Sequence, residues 1–254
     1  MVRLPVSGAP LWLRPPTGAD DMLLLEGGDE PAGLAIALLE RLAMPEGGKS
    51  LDIGALVLTD YQALLLRLHQ AVFGDRIEAV AMCARSGCHA ALAVSFDVDA
   101  YVAHRRPRIA AGVAPDETCG WWRLTGTKAR FRLPTAADLA ASRREAKPEA
   151  ALRRRCVDPD GMAAPLRRRA ERAMALQAPD LSQAVAAVCP ECGAAVEMLF
   201  DVEHFVLRAL RAHAAFVYED VHLLALHYHW PEETILAMPQ ARRSRYAEML
   251  RGAA

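Results

Sequence analysis

The sequence predicts an α+β protein. A unit of helices plus a cysteine-knuckle β-hairpin occurs twice, its copies pair by pseudo-two-fold symmetry, and a helical tail follows. Three observations carry that expectation. Two cysteine-bearing segments, Met82–Val98 (MCARSGCHAALAVSFDV) and Val188–Val202 (VCPECGAAVEMLFDV), match beyond their cysteines and both end in Phe-Asp-Val. Segments upstream of each knuckle match as well. From Val206 onward the sequence turns helical in a run of VLRALRAHAAFVYEDVHLLALHYHW, PEETILAMP and QARRSRYAEMLRG.

Taken in chain order, the first matching pair is Leu13-Arg14-Pro15-Pro16-Thr17-Gly18-Ala19-Asp20 and Phe131-Arg132-Leu133-Pro134-Thr135-Ala136-Ala137-Asp138. Each carries Thr-x-x-Asp, which opens a helix with the hydroxyl as cap and the acid in the first turn. LLERLAMPEGG (38–48) and ALRRRCVDPDG (151–161) then read as helices stopped by Pro and Gly. A helical stretch follows in each copy, LTDYQALLLRLHQAVFGD (58–75) and APLRRRAERAMALQAPD (164–180). IEAVAM (77–82) and HAALAVSF read as strands joined by the first knuckle, QAVAAV (183–188) and AAVEMLF as strands joined by the second. Asp97 and Asp201 fall at helix N-caps. Phe96 with Tyr101, and Phe200 with Phe205, have the spacing of a hydrophobic staple. The expected boundaries are 11–106 for the first repeat, 107–128 for a linker, 129–212 for the second repeat and 213–254 for the tail, with the two repeats forming one body.

The cysteine pattern sets the chemistry. A CPxCG turn supplies only two ligands of a tetrahedral ion. Cys83 and Cys88 in one knuckle and Cys189 and Cys192 in the other complete a set of four if the hairpins pack face to face. Four thiolates suit structural Zn²⁺ and leave no open position for catalysis. A rubredoxin-type iron centre and a metal-free pair of knuckles with buried thiols are the alternatives. His89 is a possible substitute ligand, expected to be exposed at a strand start. Cys119 and Cys156 have no second cysteine at ligand spacing and read as packed thiols.

Composition narrows the class. Over 254 residues, 53% hydrophobic and 24% charged residues mark a globular chain. No apolar run reaches membrane-helix length, and the N-terminal MVRLPVSGAPLWL lacks a basic-then-apolar layout, so a cytoplasmic protein with reduced thiols is expected. The net charge of −1 conceals an asymmetry: residues 1–100 hold seven Lys/Arg against thirteen Asp/Glu, and residues 128–172 hold thirteen against six. The runs Arg153-Arg154-Arg155 and Arg167-Arg168-Arg169 read first as solvated helix faces, and second as a contact for nucleic acid or an acidic partner. No nucleophile elbow, phosphate-binding glycine loop or HExxH motif is present, so no enzyme is expected.

In the tail, Pro231 suits a helix start, Glu232 and Glu233 its first turn, and Met238-Pro239 its end. His222 and His227 are five apart rather than four, and with His229 read as packed on or beside a helix rather than as ligands. A helix-turn-helix DNA reader has only Arg242, Arg243 and Arg245 in its favour. A protein-docking surface built from Tyr218, Tyr228, Trp230, Arg242, Arg243 and Tyr246 is the preferred expectation. Trp121-Trp122, in the expected linker, reads by default as packed, with an exposed anchor as the alternative.

The order of LTDYQALLLRLHQAVFGDRIEAVAMCARSGCHAALAVSFDV, CPECGAAVEMLFDV and YEDVHLLALHYHWPEETILAMPQARRSRYAEML resembles the T-even-phage baseplate hub assembly chaperone family, found in contractile-tailed phages and related contractile injection systems. The resemblance spans residues 17–250. It implies a non-enzymatic role in building the baseplate hub, by holding hub or spike subunits before the tail polymerises. The first knuckle departs from the CPxCG pattern, with four residues between Cys83 and Cys88. A permanent baseplate or tail component is the alternative, and a zinc-ribbon nucleic-acid binder a third.

Overall fold

The computed structural model describes residues 1–28, 30–48 and 51–252. Positions 29, 49 and 50 of the expected first repeat, and 253 and 254 of the expected tail, lie outside the described residues. The first half runs β1 (Val2–Arg3), β2 (Pro10–Leu13), α1 (Gly18–Glu26), α2 (Pro31–Leu42), β3 (Ala43–Pro45), α3 (Leu58–Phe73), β4 (Arg76–Met82), β5 (Ala91–Asp97) and α4 (Val98–His104). The second runs β6 (Val113–Pro115), β7 (Trp121–Leu124), β8 (Arg130–Arg132), α5 (Ala136–Arg143), α6 (Pro148–Cys156), β9 (Val157–Asp158), α7 (Ala164–Gln177), β10 (Gln183–Val188), β11 (Ala195–Phe200) and α8 (Val202–Ala214). The tail consists of α9 (Val217–Tyr228), α10 (Glu232–Leu236) and α11 (Gln240–Arg251). From β2 to α4 and again from β8 to α8 the order is strand, helix, helix, strand, helix, strand, strand, helix. The protein is α+β, with antiparallel sheets of three, four, two and two strands.

The Thr-x-x-Asp motifs form capping boxes with an added arginine. Thr17 N–H donates to Asp20 Oδ2 at 2.9 Å, and Arg14 grips the same carboxylate through both nitrogens at 2.7 and 2.9 Å. In the second half Thr135 N–H donates to Asp138 at 3.0 Å, and Arg132 grips that carboxylate at 2.5 and 2.8 Å. Burial pushes both aspartates up, but hydrogen bonds from Arg14 and Thr17, and from Arg132 and Thr135, outweigh it and hold both below the ordinary carboxylate value. The full motif is therefore Arg-x-x-Thr-x-x-Asp.

Two expectations need correction. Residues 107–128 are not a bare linker: they carry β6 and β7, and β7 pairs with β8 in the second half's sheet, Trp122 opposite Phe131. Strands of three and four residues, set among Gly and Pro, are too short to show an alternation. Asp97 is the N-cap residue of α4 but its side chain makes no capping bond. Asp75 has taken that role, its backbone carbonyl accepting Val98 N–H at 2.8 Å and its carboxylate accepting Asp99 N–H at 3.1 Å. Asp201 does cap α8, accepting His204 N–H at 3.0 Å.

The main core is helical and joins the halves. Leu24 of α1, Leu38, Leu39 and Leu42 of α2, and Leu64, Leu65 and Leu68 of α3 pack with Val206, Leu207 and Leu210 of α8. Helix α8, from the second half, thus fills the helical layer of the first. A smaller core in the second half centres on Phe131 and Leu124 under Ala170 and Ala173 of α7. Polar links cross the same junction: Gln62 Oε1 accepts Leu181 N–H at 2.8 Å, and Tyr61 O–H donates to buried Glu203 at 2.7 Å. Arg143 pairs with Glu203 from the other side.

Candidate metal centre

Each knuckle is the tip of a two-stranded hairpin. β4 and β5 pair from Arg76↔Asp97 to Met82↔Ala91, and β10 and β11 from Gln183↔Phe200 to Val188↔Ala195. The inner faces meet: Ala81, Leu92 and Val94 pack with Val196, Met198 and Val185 beneath the four sulfurs. Staples brace the base, with Phe96 and Tyr101 ring centroids 4.8 Å apart and Phe200 and Phe205 5.2 Å apart. Phe96 and Phe200 themselves meet edge to face at 5.1 Å.

At the tips, the Cys83 and Cys192 sulfurs are 3.6 Å apart and those of Cys88 and Cys189 3.8 Å apart. All four Sγ atoms lie within 4.8 Å of one another. Thiolates at about 2.3 Å from a tetrahedral ion are about 3.8 Å from each other, so the cage has the dimensions a metal needs. Cys83 and Cys189 are buried, Cys88 and Cys192 half-buried. Within the knuckles Cys83 N–H donates to Ala90 O and Cys189 N–H to Ala194 O, each at 2.9 Å.

Local chemistry explains the unequal knuckles. The residue after the second cysteine takes a left-handed backbone in both, Gly193 at φ 70° and His89 at φ 50°. His89 is exposed there, and its backbone is what the turn uses. The two extra residues of the first knuckle let Arg85 reach across and donate to Cys192 O at 3.0 Å. That cross-hairpin bond has no sequence signature.

The thiols do not ionise alike. The Ala194 N–H, assisted by Cys88 and Cys83 against burial, brings Cys192 down to about 7. For Cys88 the Ala90 N–H is outweighed by Cys192, burial and Cys189, and the thiol is pushed up to about 12. One thiolate at this spacing opposes the next, and a cation shared by all four reverses that balance. Four cysteines lie close enough together to hold a metal ion, and they form the one such group of His, Cys, Asp or Glu among the described residues. His222, His227 and His229 are exposed and belong to no such group. Cys156 is packed, with burial pushing its thiol up to about 11, and Cys119 is exposed rather than packed, in the turn before β7.

The expected partner residues of the tail divide. Tyr228 stacks on Trp230 at 4.8 Å, Tyr246 closes the cluster edge-on at 5.2 Å, and Arg242 lies 5.9 Å from the Tyr246 ring centroid. Tyr218 is exposed, its hydroxyl on Glu26 at 2.9 Å. Arg243 requires correction: it is 1% exposed, donates to Asp21 at 2.6 Å and Asp220 at 3.2 Å, and so fastens α11 and α9 to α1 instead of facing a partner. Sequence spacing could not show this, because Asp21 lies 222 residues away.

The arginine runs are largely engaged internally. Arg153 and Arg167 reach Glu171, Arg154 and Arg155 reach Glu145, and Arg169 donates to Gly112 O at 2.8 Å. Trp122 packs in the second core, and Trp121 lies under Arg130, 4.9 Å from ring centroid to guanidinium. No described helix is long and apolar enough to cross a membrane. Comparison with protein-family models, curated proteins and solved structures finds no match in any of the three.

Proposed function

We propose that the protein is a non-enzymatic assembly adaptor, a duplicated body clamped by one structural Zn²⁺ and carrying a helical docking tail. Cys83, Cys88, Cys189 and Cys192 would hold the ion as thiolates, two from each copy. The observation that carries this reading is the convergence of four sulfurs from two distant knuckles within 4.8 Å. Such a closed site contributes on the order of 10 kcal/mol to folding and offers no position for substrate. The recurrence of Arg-x-x-Thr-x-x-Asp, knuckle and staple in the same order supports a tandem duplication.

The clients we propose are hub or spike subunits of a contractile tail, held in the cytoplasm during assembly. The sequence resemblance supports the client class, and the Tyr228–Trp230–Tyr246 cluster, in which Tyr228 is exposed and Trp230 and Tyr246 are half-buried, supports docking through the tail. Internal pairing of the arginine runs weighs against a nucleic-acid binder. The test is affinity capture from the native gene cluster together with mass spectrometry of purified particles. Capture of hub or spike subunits, with the protein far below stoichiometric in finished particles, supports an assembly factor. Stoichiometric retention would make it a permanent component, and salt-sensitive DNA binding without protein capture would overturn the adaptor reading.

A further inference from the structure

The two hairpins approach each other most closely through β4 and β11 and are less closely joined on the side of β5 and β10. There a groove of about 630 Å³ runs between residues 92–96 of β5 and 184–188 of β10. Its walls are strand edges. Cys83 N–H donates to Ala90 O, and Cys189 N–H to Ala194 O. Hydrogen-bonded and non-bonded pairs alternate along an antiparallel ladder, so the backbone N–H and C=O of Ala93 and Ser95 point out of β5, and those of Ala184, Ala186 and Val188 out of β10. Each sheet has two strands, so neither edge has a ladder partner among the described residues.

Natural sheets guard such edges with lysine, proline or a covering element. These five residues are exposed, and none is charged or proline. The groove also leads to a charge. Arg105 lines it, stacked 3.8 Å above the Tyr101 ring, with its Nε buried and unpartnered. Arg105 continues into a second hollow with His104, Arg106 and Arg108, and neither lining contains a carboxylate.

We infer that the groove between β5 and β10 binds an extended segment of a partner protein as an added strand, with carboxylates of that segment seated against Arg105, Arg106 and Arg108. Main-chain bonds to two facing edges supply affinity, and the unopposed arginines select an acidic segment. The inference names a client chemistry for the adaptor reading and rests on it only in requiring the hairpins to be held at this spacing.

The test uses a fluorescein-labelled, C-terminally amidated peptide Ser-Val-Thr-Val-Ser-Val-Asp-Asp and its Lys-Lys counterpart, with anisotropy measured on the full chain. The acidic peptide should bind at least about tenfold tighter than the basic one. Ala186→Pro, which removes an outward N–H and no ladder bond, and Ala93→Lys should each weaken it by a similar factor. Arg105→Gln should shrink the preference for acid. Absence of binding, or binding unaffected by both edge variants, overturns the inference. Concentration-dependent dimerisation that either edge variant abolishes would also overturn it, making a second copy the occupant. Zinc measured on the same samples separates the two readings: full zinc without peptide binding removes the groove alone, and peptide binding without zinc removes the clamp alone.

Discussion

Cys83 and Cys192, 109 residues apart in sequence, place their sulfurs 3.6 Å from one another. Neither knuckle could do this alone. The hairpins are brought together by a shared apolar face and by α8 crossing into the helical layer of the first half. The four-cysteine cluster is therefore a consequence of how the two halves interlock, and its disruption should be felt throughout the body.

The first prediction separates ligand from turn. His89 adopts φ 50°, a backbone region where glycine is at ease and other residues are strained. His89→Gly should retain full metal content and change stability by no more than about 1 kcal/mol, in the stabilising direction. Loss of metal in this variant would make His89 a ligand.

The second concerns the tail. Arg243 lies between Asp21 and Asp220, with Arg251 also bonded to Asp220 at 3.0 Å. Removing one partner of a buried pair leaves an uncompensated charge, so Arg243→Ala should cost about 3–5 kcal/mol and expose α11 to proteolysis first. Gly18→Ala should act in the same direction, because a Cβ there would stand 2.7 Å from Arg243 Nη1 and 2.9 Å from Leu236 Cα. Limited proteolysis that leaves α11 as protected as in the parent would contradict this.

The third is a pH dependence. Asp20 and Asp138 have folded values below their ordinary 3.8, despite burial, because Arg14 with Thr17 and Arg132 with Thr135 stabilise the carboxylates. The unfolded chain therefore takes up protons first. Their stabilisation is complete above the unfolded value and disappears as pH falls from there through the folded values. Urea midpoints measured between pH 7 and pH 3 should fall less steeply in the double variant Asp20→Asn, Asp138→Asn. Parallel profiles would exclude the two boxes as a source of acid sensitivity.

A fourth prediction addresses the junction. Tyr61 donates its buried hydroxyl to Glu203, which Arg143 also pairs. Tyr61→Phe should cost about 1–3 kcal/mol by leaving a buried acceptor short of a donor. An unchanged midpoint in chemical denaturation would mean that Arg143 alone suffices for Glu203.

Much of the α+β organisation was legible because it rests on local chemistry. The cysteines, the Thr-x-x-Asp boxes and the Phe96 and Phe200 staples announce turns, helix starts and their order within a few residues of themselves. What escaped depends on distant partners. Strands β6 and β7 are too short to show periodicity, Asp75 displaces Asp97 as a cap through the fold, and Arg243 finds its acids only when α11 docks on α1 and α9. The groove between β5 and β10 is likewise invisible in sequence, since it exists only once the two hairpins pack.

The measurement that tests the account most directly is elemental analysis paired with thermal unfolding, on the parent, Cys83→Ser, Cys189→Ser and the exposed-thiol control Cys119→Ser. One zinc per chain is predicted in the parent and the control. Both ligand variants should lose the metal and melt at markedly lower temperature, although they lie in different halves. Stoichiometric metal and an unchanged melting temperature in either ligand variant would contradict a single site shared between the two knuckles.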